Sequence, residues 1–230
     1  MNLVKVQQAL RTFIRQHHSR FQTLAKTETQ VLEVGALLLA VEHYKRVGYG
    51  IAVVNAPAGR FRVKLTARGH PWNFSWYEVK RGEMKFEVHG NLAVQSAWAE
   101  DEGIYVVDVG IAMAGMLPTT HKDRKVWAGM PNDQVVTFIE AKKLVVYPML
   151  LAQFVGIVHE IKPSFLGAAP DFSLEKHFCP ALVSIGYLTA TSKSIINGYV
   201  QRRFGIRVVP AFDLEVLRLS QDAAAPSPLA

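Results

Sequence analysis

The spacing of apolar positions changes character several times along the chain. Leu3, Val6, Leu10, Phe13 and Ile14 recur at helical spacing with basic residues between them, and predict a helical arm over 3–20. A second helix is predicted over 27–46, where Leu32, Ala36, Leu39, Ala40 and His43 form a stripe of period 3.6. Thr27 offers its cap and Gly48 its stop, and a strand over 49–54 follows. From Arg60 to Gly90 the period falls to two. Phe61, Val63 and Leu65 alternate with Arg60, Arg62 and Lys64, which predicts a strand with one apolar and one basic face. Turns at Gly69-His70-Pro71 and Arg81-Gly82-Glu83 bracket an aromatic strand over 73–79, and a strand over 84–88 comes next. Further strands are predicted at 92–97, 104–111 and 135–144, with 114–133 as a loop.

Past Pro148 the helical period returns. Leu150, Leu151, Phe154, Val155 and Val158 build an amphipathic helix that stops before Pro163. A Pro/Gly-rich connector over 164–180 leads to a strand at 181–188, and then to a helix that Thr191 or Ser192 caps and that runs to about residue 203. A last strand spans 206–209, residues 214–219 read as a short helix, and the Ala/Pro/Ser tail reads as disordered. The predicted fold class is α/β or α+β: a mixed central sheet flanked by helices. The domain plan is a helical arm (1–25), one domain (26–220) and a tail (221–230).

The 230 residues suit one domain with a substantial core. No apolar run approaches the roughly 20 residues that span a bilayer, and no signal-peptide stretch opens the chain. A single cysteine, Cys179, allows no internal disulfide, which fits a cytoplasmic protein. The net charge of +7 fits equally a basic protein without such a partner and one with an anionic partner, either nucleic acid or a membrane surface.

Two strands carry acids where acids are expensive. Asp108 sits in Ile104-Tyr105-Val106-Val107-Asp108-Val109, and Glu140 sits in Val135-Val136-Thr137-Phe138-Ile139-Glu140-Ala141-Lys142. A carboxylate in a buried strand must be paired or hold a metal. Glu140 and Lys142 are two apart and so share a face. The same acid-x-lysine spacing occurs at Glu78-Val79-Lys80 and Glu160-Ile161-Lys162. The first of these ends a strand with no aspartate anywhere before it, and the second ends a helix, where i and i+2 diverge. Only Glu140-Ala141-Lys142 follows an aspartate-bearing buried strand. Hydrolysis of a phosphodiester needs a divalent metal, Mg²⁺ or Mn²⁺, on hard oxygen ligands. Asp108 and Glu140 would supply these, with the Ala141 carbonyl as a third and Lys142 beside the attacking water. An internal salt bridge without chemistry is the plain alternative.

Asp108, Glu140-Ala141-Lys142 on the next strand and a helix after it resemble the PD-(D/E)xK superfamily of restriction-endonuclease-like nucleases, over roughly residues 28–160. Gln153, on the helix after the lysine, is similar to a glutamine that many members carry. Val107 stands where members have proline before the aspartate, and the gap to Glu140 is long, which makes 114–133 an insertion. The resemblance implies a restriction-endonuclease-like fold and a Mg²⁺-dependent nuclease acting on DNA. A further acid is implied as well, either Glu33 on the first helix or Glu87 on a preceding strand, with His89 facing the same way. The alternative is a non-catalytic nucleic-acid-binding or partner-binding protein on such a scaffold, as a homodimer or a subunit.

Arg60, Arg62, Lys64, Arg68, Lys80 and Arg81 concentrate positive charge on the early strands, as candidates to track phosphates. Trp72, Phe74, Trp76 and Tyr77 lie among them. They fit the core better than a base-stacking role.

Overall fold

The computed structural model of the protein describes residues 20–21, 28–99, 103–167, 177–212 and 229. Most of the predicted arm at 3–20, the helix at 214–219 and nearly all of the tail lie outside these residues. The elements in chain order are β1 (Arg20–Phe21), α1 (Glu28–Arg46), β2 (Gly50–Val54), β3 (Arg60–Phe61), β4 (Trp76–Arg81), β5 (Met84–Gln95) and β6 (Ile104–Met113). They continue as α2 (His121–Val126), β7 (Val135–Lys142), α3 (Pro148–Ile161), β8 (Ala181–Ser184), α4 (Ala190–Gln201) and β9 (Arg207–Val209). Seven strands form one mixed sheet in the order β2-β4-β5-β6-β7-β8-β9. The pairs from β2 to β7 are antiparallel, and β7-β8-β9 are parallel. The predicted fold class, mixed α/β with helices on the sheet, is the observed one. β1 pairs with β3 in a separate two-stranded ribbon, so Arg20, at the end of the predicted arm, is extended.

α1 packs across β5, β6 and β7. It carries more than a stripe, because residues 31, 32, 34, 36–41 and 44 are all buried apolar side chains. A helix apolar on nearly every side belongs in a core rather than on its surface. Phe178, Phe212 and Leu229 join the sheet residues Val79, Val88, Ile111 and Ile139 in the same cluster around it. α3 covers the opposite face, setting Leu150, Leu151, Phe154, Val158 and Ile161 against Phe138, Val107 and Leu182. Its period was legible because only one face is buried.

Four expectations are corrected here. The strand predicted over 60–65 is only two residues long; Phe61 and Val63 point inward, but so does Lys64. The strands predicted at 84–88 and 92–97 are one strand, β5. It continues through Gly90-Asn91 because Asn91 adopts the left-handed backbone (φ 48°), which asparagine tolerates better than most residues. The predicted loop at 114–133 contains a helix, α2, capped by Thr120, whose Oγ1 accepts the Asp123 N–H at 3.1 Å. This insertion returns to the sheet at Met130, which bridges Val94 beyond the reach of β4. α4 begins two or three residues earlier than predicted, on Thr189, whose Oγ1 accepts the Ser192 N–H.

The pairing of β6 sets the scene for the site. β6 and β7 pair from Ala112↔Val135, past a register shift between Ile111 and Ala112, to Val109↔Ile139, and there their ladder stops. Beyond that point β6 stays with β5, through Leu92↔Val107, while β7 stays with β8, from Glu140↔Leu182 to Lys142↔Ser184. The sheet therefore opens a cleft between Asp108 and Glu140. Gly110, one rung inside the last β6–β7 pair, has no room for a side chain: a Cβ there would lie 2.9 Å from that of Leu92.

Candidate active site

Asp108 and Glu140 face each other across this cleft. The Ala141 N–H donates to Asp108 Oδ2 at 2.7 Å. The Lys142 ammonium donates to the same oxygen at 3.0 Å and lies 2.6 Å from Glu140 Oε2. The acid-x-lysine spacing thus places both groups on the expected face, with the aspartate of the neighbouring strand between them. Side-chain exposure rises from 5 % at Glu140 through 14 % at Asp108 to 34 % at Lys142, so the cluster is seated in the sheet and opens at the lysine. Glu78 and Glu160, the acids of the other two copies of the motif, are occupied elsewhere. Glu78 pairs with Lys85 at 2.7 Å, and Glu160 accepts from Ser96 at 3.0 Å.

The electrostatics follow from this seating. Burial, with repulsion from Asp108 added, pushes the Glu140 carboxyl up to about 7, against the pull of Lys142. Lys142 loses solvation, but the two carboxylates more than offset this and hold its pKa above the ordinary lysine value. Glu140 Oε1 is buried without a hydrogen-bond partner among the described residues. Such an atom is costly in a core unless something positive meets it.

Glu33 belongs to this neighbourhood. It projects from α1, half-buried, and its Oε2 accepts from Asn91 Nδ2 at 3.1 Å. Burial raises its pKa and the charge of Asp108 raises it further, while Asn91 and Lys142 oppose the rise. Asn91 was not singled out in the sequence. It lies between the rungs Gly90↔Val109 and Leu92↔Val107, opposite Asp108, and its Nδ2 also meets the Lys64 carbonyl at 3.2 Å. The signal available was the Gly-Asn pair inside an otherwise continuous β pattern.

Other candidates are placed elsewhere. Glu87 pairs opposite Ala112, four residues along β6 from Asp108, roughly 13 Å at the rise of a strand. Its carboxylate is 3.0 Å from His89 Nε2 and accepts the Gly115 N–H at 3.1 Å. Burial raises its pKa, but His89, Gly115 and Lys85 bring it below the usual range. Glu87 and His89 do share a face, as spacing required, but it is a buried pair beneath Trp76. Gln153 is on the exposed side of α3, and no hydrogen bond links it to the cluster.

The basic set divides. Arg60, Arg62, Arg68 and Lys80 are exposed. Lys64 is only 4 % exposed, and its ammonium donates to the carbonyls of Thr66 (2.9 Å), Ala67 (3.3 Å) and Asn91 (2.6 Å). Burial brings its pKa down to about 8. It pins the 64–67 loop to β5 and is not on a basic face. Arg81 donates to the Val47 carbonyl at 3.3 Å and lies over the Tyr49 ring, so it fastens the end of α1. The aromatics are engaged within the fold: Tyr77 stacks on Phe61, and Trp72 stacks on His70 with Arg124 over its ring.

Among the described residues, no group of three or more His, Cys, Asp or Glu side chains gathers as a metal site. The cluster comprises two carboxylates and an ammonium, with Glu33 held to one side by Asn91. Among the described residues, no helix is long and apolar enough to cross a membrane. No protein-family model matches the chain, and comparison with the curated proteins and with solved structures gives no match.

Proposed function

We propose that the protein is a metal-dependent nuclease, hydrolysing phosphodiester bonds in DNA at the cleft between β6 and β7. The observation that carries this reading is the convergence of Asp108, Glu140 and Lys142 on one point, within 3.0 Å of the Lys142 ammonium. It accords with the resemblance to the PD-(D/E)xK superfamily, whose members place their acids and lysine on adjacent strands of a mixed sheet.

The donors suit Mg²⁺ or Mn²⁺. Both are hard oxygens, and the unpartnered Glu140 Oε1 is a buried acceptor that a cation would satisfy. Asp108 and Glu140 would hold the ion, with the Ala141 carbonyl as a third ligand. When bound, it supplies charge neutralisation at the scissile phosphate and a more acidic attacking water. The ammonium of Lys142, at the open end of the cluster, orients that water and offsets phosphate charge. The Ala141 N–H fixes the Asp108 carboxylate, so its ligating oxygens are set before substrate arrives. Exposed Arg60, Arg62, Arg68 and Lys80 add sequence-independent attraction for the backbone.

The test is cleavage of single- and double-stranded DNA with Mg²⁺ and with EDTA, by the native chain and by Asp108→Ala. Metal-dependent cleavage lost in the variant supports the reading; equal activity in both, or none in a folded native chain, overturns it. One observation favours a second reading. Among the described residues no third acid joins Asp108 and Glu140 as a metal-binding group, which fits a nucleic-acid-binding protein in which Asp108, Glu140 and Lys142 form an internal ion triad. Binding indifferent to metal, without cleavage, would select it.

A further inference from the structure

Lys142 ends β7, and the chain just beyond it carries an unusual surface. Tyr147 is 38 % exposed, and Tyr187, on the loop after β8, is 66 % exposed. Both loops leave the carboxyl ends of parallel strands, the end of an open sheet where ligands are usually received.

The two loops are locked to each other. Val146 bridges Leu188: the Val146 N–H donates to the Tyr187 carbonyl at 2.9 Å, and the Thr189 N–H donates to the Val146 carbonyl at 3.3 Å. Ser184 Oγ donates to the Leu144 carbonyl and accepts the Gly186 N–H, and a side chain at Gly186 would collide with the same Leu144 carbonyl. Val146 and Leu188 turn inward to the cluster beneath α3, so their chain neighbours Tyr147 and Tyr187 turn outward. Among the described residues, neither ring packs against another aromatic ring. Lys193 is exposed on the second of these segments, and neither 143–149 nor 185–194 contains an acid.

Exposed tyrosines on two loops that are tied together, an exposed lysine and no carboxylates match a polyanion whose flat groups are unpaired. We propose that this ledge binds the bases of single-stranded DNA that leads into the cleft, so the substrate has an unpaired segment. Duplex DNA hides its base faces and offers the ledge only phosphate. A tyrosine platform stacks bases without regard to sequence. The proposal rests on the nuclease reading for its position, but binding tests it separately.

The experiment measures fluorescence anisotropy of the native chain in EDTA with three labelled probes of equal length: oligo-dT, an abasic strand and a blunt duplex. The expected order places oligo-dT tightest. Tyr147→Ala and Tyr187→Ala each weaken oligo-dT binding about tenfold and leave the abasic strand unchanged, while Tyr→Phe at either site binds like the native chain. Equal affinity for the abasic strand, or no effect of the alanines, overturns the proposal. So does sedimentation showing a dimer that Tyr187→Ala converts to monomer, which would make the ledge an interface between copies. Base-selective binding without cleavage in Mg²⁺ sinks the nuclease reading and keeps the ledge; cleavage without tyrosine dependence does the reverse.

Discussion

Asp108 accepts the backbone N–H of Ala141 at the point where their two strands stop pairing. A carboxylate oxygen there stands in for the rung that β6 no longer supplies. This lets the sheet open a cleft without orphaning a buried amide, and it aims an acid into the cleft. One hydrogen bond therefore serves both the fold and the candidate chemistry.

Removing it should be measurable apart from any activity. Asp108→Ala leaves the Ala141 N–H without that acceptor and Lys142 with one carboxylate. The expected loss is about 2 kcal/mol, the scale of a hydrogen bond to a charged group. Asp108→Asn retains an acceptor and should lose about half as much. Urea unfolding of the two variants checks this; equal stability to the native chain would contradict it.

Lys142→Met should give a destabilisation that depends on pH. Lys142 opposes the upward push on the Glu140 pKa, so without it the folded-state value rises further above the unfolded one. A carboxyl raised by folding favours the folded chain fully below the unfolded pKa, and the benefit is lost as pH rises through the folded pKa. The variant loses the Asp108 contact at both pH values and should be about 1–3 kcal/mol further destabilised at pH 8 than at pH 5, the range reflecting the partly exposed lysine. A constant difference from pH 5 to pH 8 would exclude this account.

Phosphate contact should separate residues that look alike in sequence. Arg60→Glu and Arg62→Glu remove exposed charges, so each should weaken DNA binding and lower the slope of log affinity against log salt by about one. Lys64→Met should leave that slope unchanged. It loses instead three hydrogen bonds to carbonyls, and its cost should appear as about 1–3 kcal/mol of stability. Salt titrations of the three variants decide the matter.

Legibility in the sequence tracked how locally each feature is determined. Strands β6 and β7 and helix α3 announce themselves because burial is regular along them, and Glu140 with Lys142 follows from a period of two. Choosing that copy of the motif over Glu78-Val79-Lys80 and Glu160-Ile161-Lys162 needed only the strand before it. Lys64 was misread because alternation is a rule for strands, and the chain leaves strand geometry after Phe61. Asn91 was missed because its role depends on α1, 58 residues away in sequence, bringing Glu33 to it. Glu87 is the preferred further acid in the sequence for its place on a strand, but the register of β5 on β6 sets it away from Asp108, and Asn91, opposite Asp108, holds Glu33 instead.

The central claim is that the Asp108–Glu140–Lys142 cleft performs metal-dependent hydrolysis, and Glu140→Gln tests it most directly. The substitution keeps the size of a buried side chain while removing the charge that would hold a cation. The measurement is the initial rate of Mg²⁺-dependent DNA cleavage by native and Glu140→Gln chains of matched melting temperature, followed across pH 6 to 9. The account predicts Mg²⁺-dependent cleavage by the native chain and a variant rate at least a hundredfold lower, on the order of the loss of a positioned charged group. Native and variant rates that coincide at every pH, or a native chain with no cleavage at any pH, would contradict it.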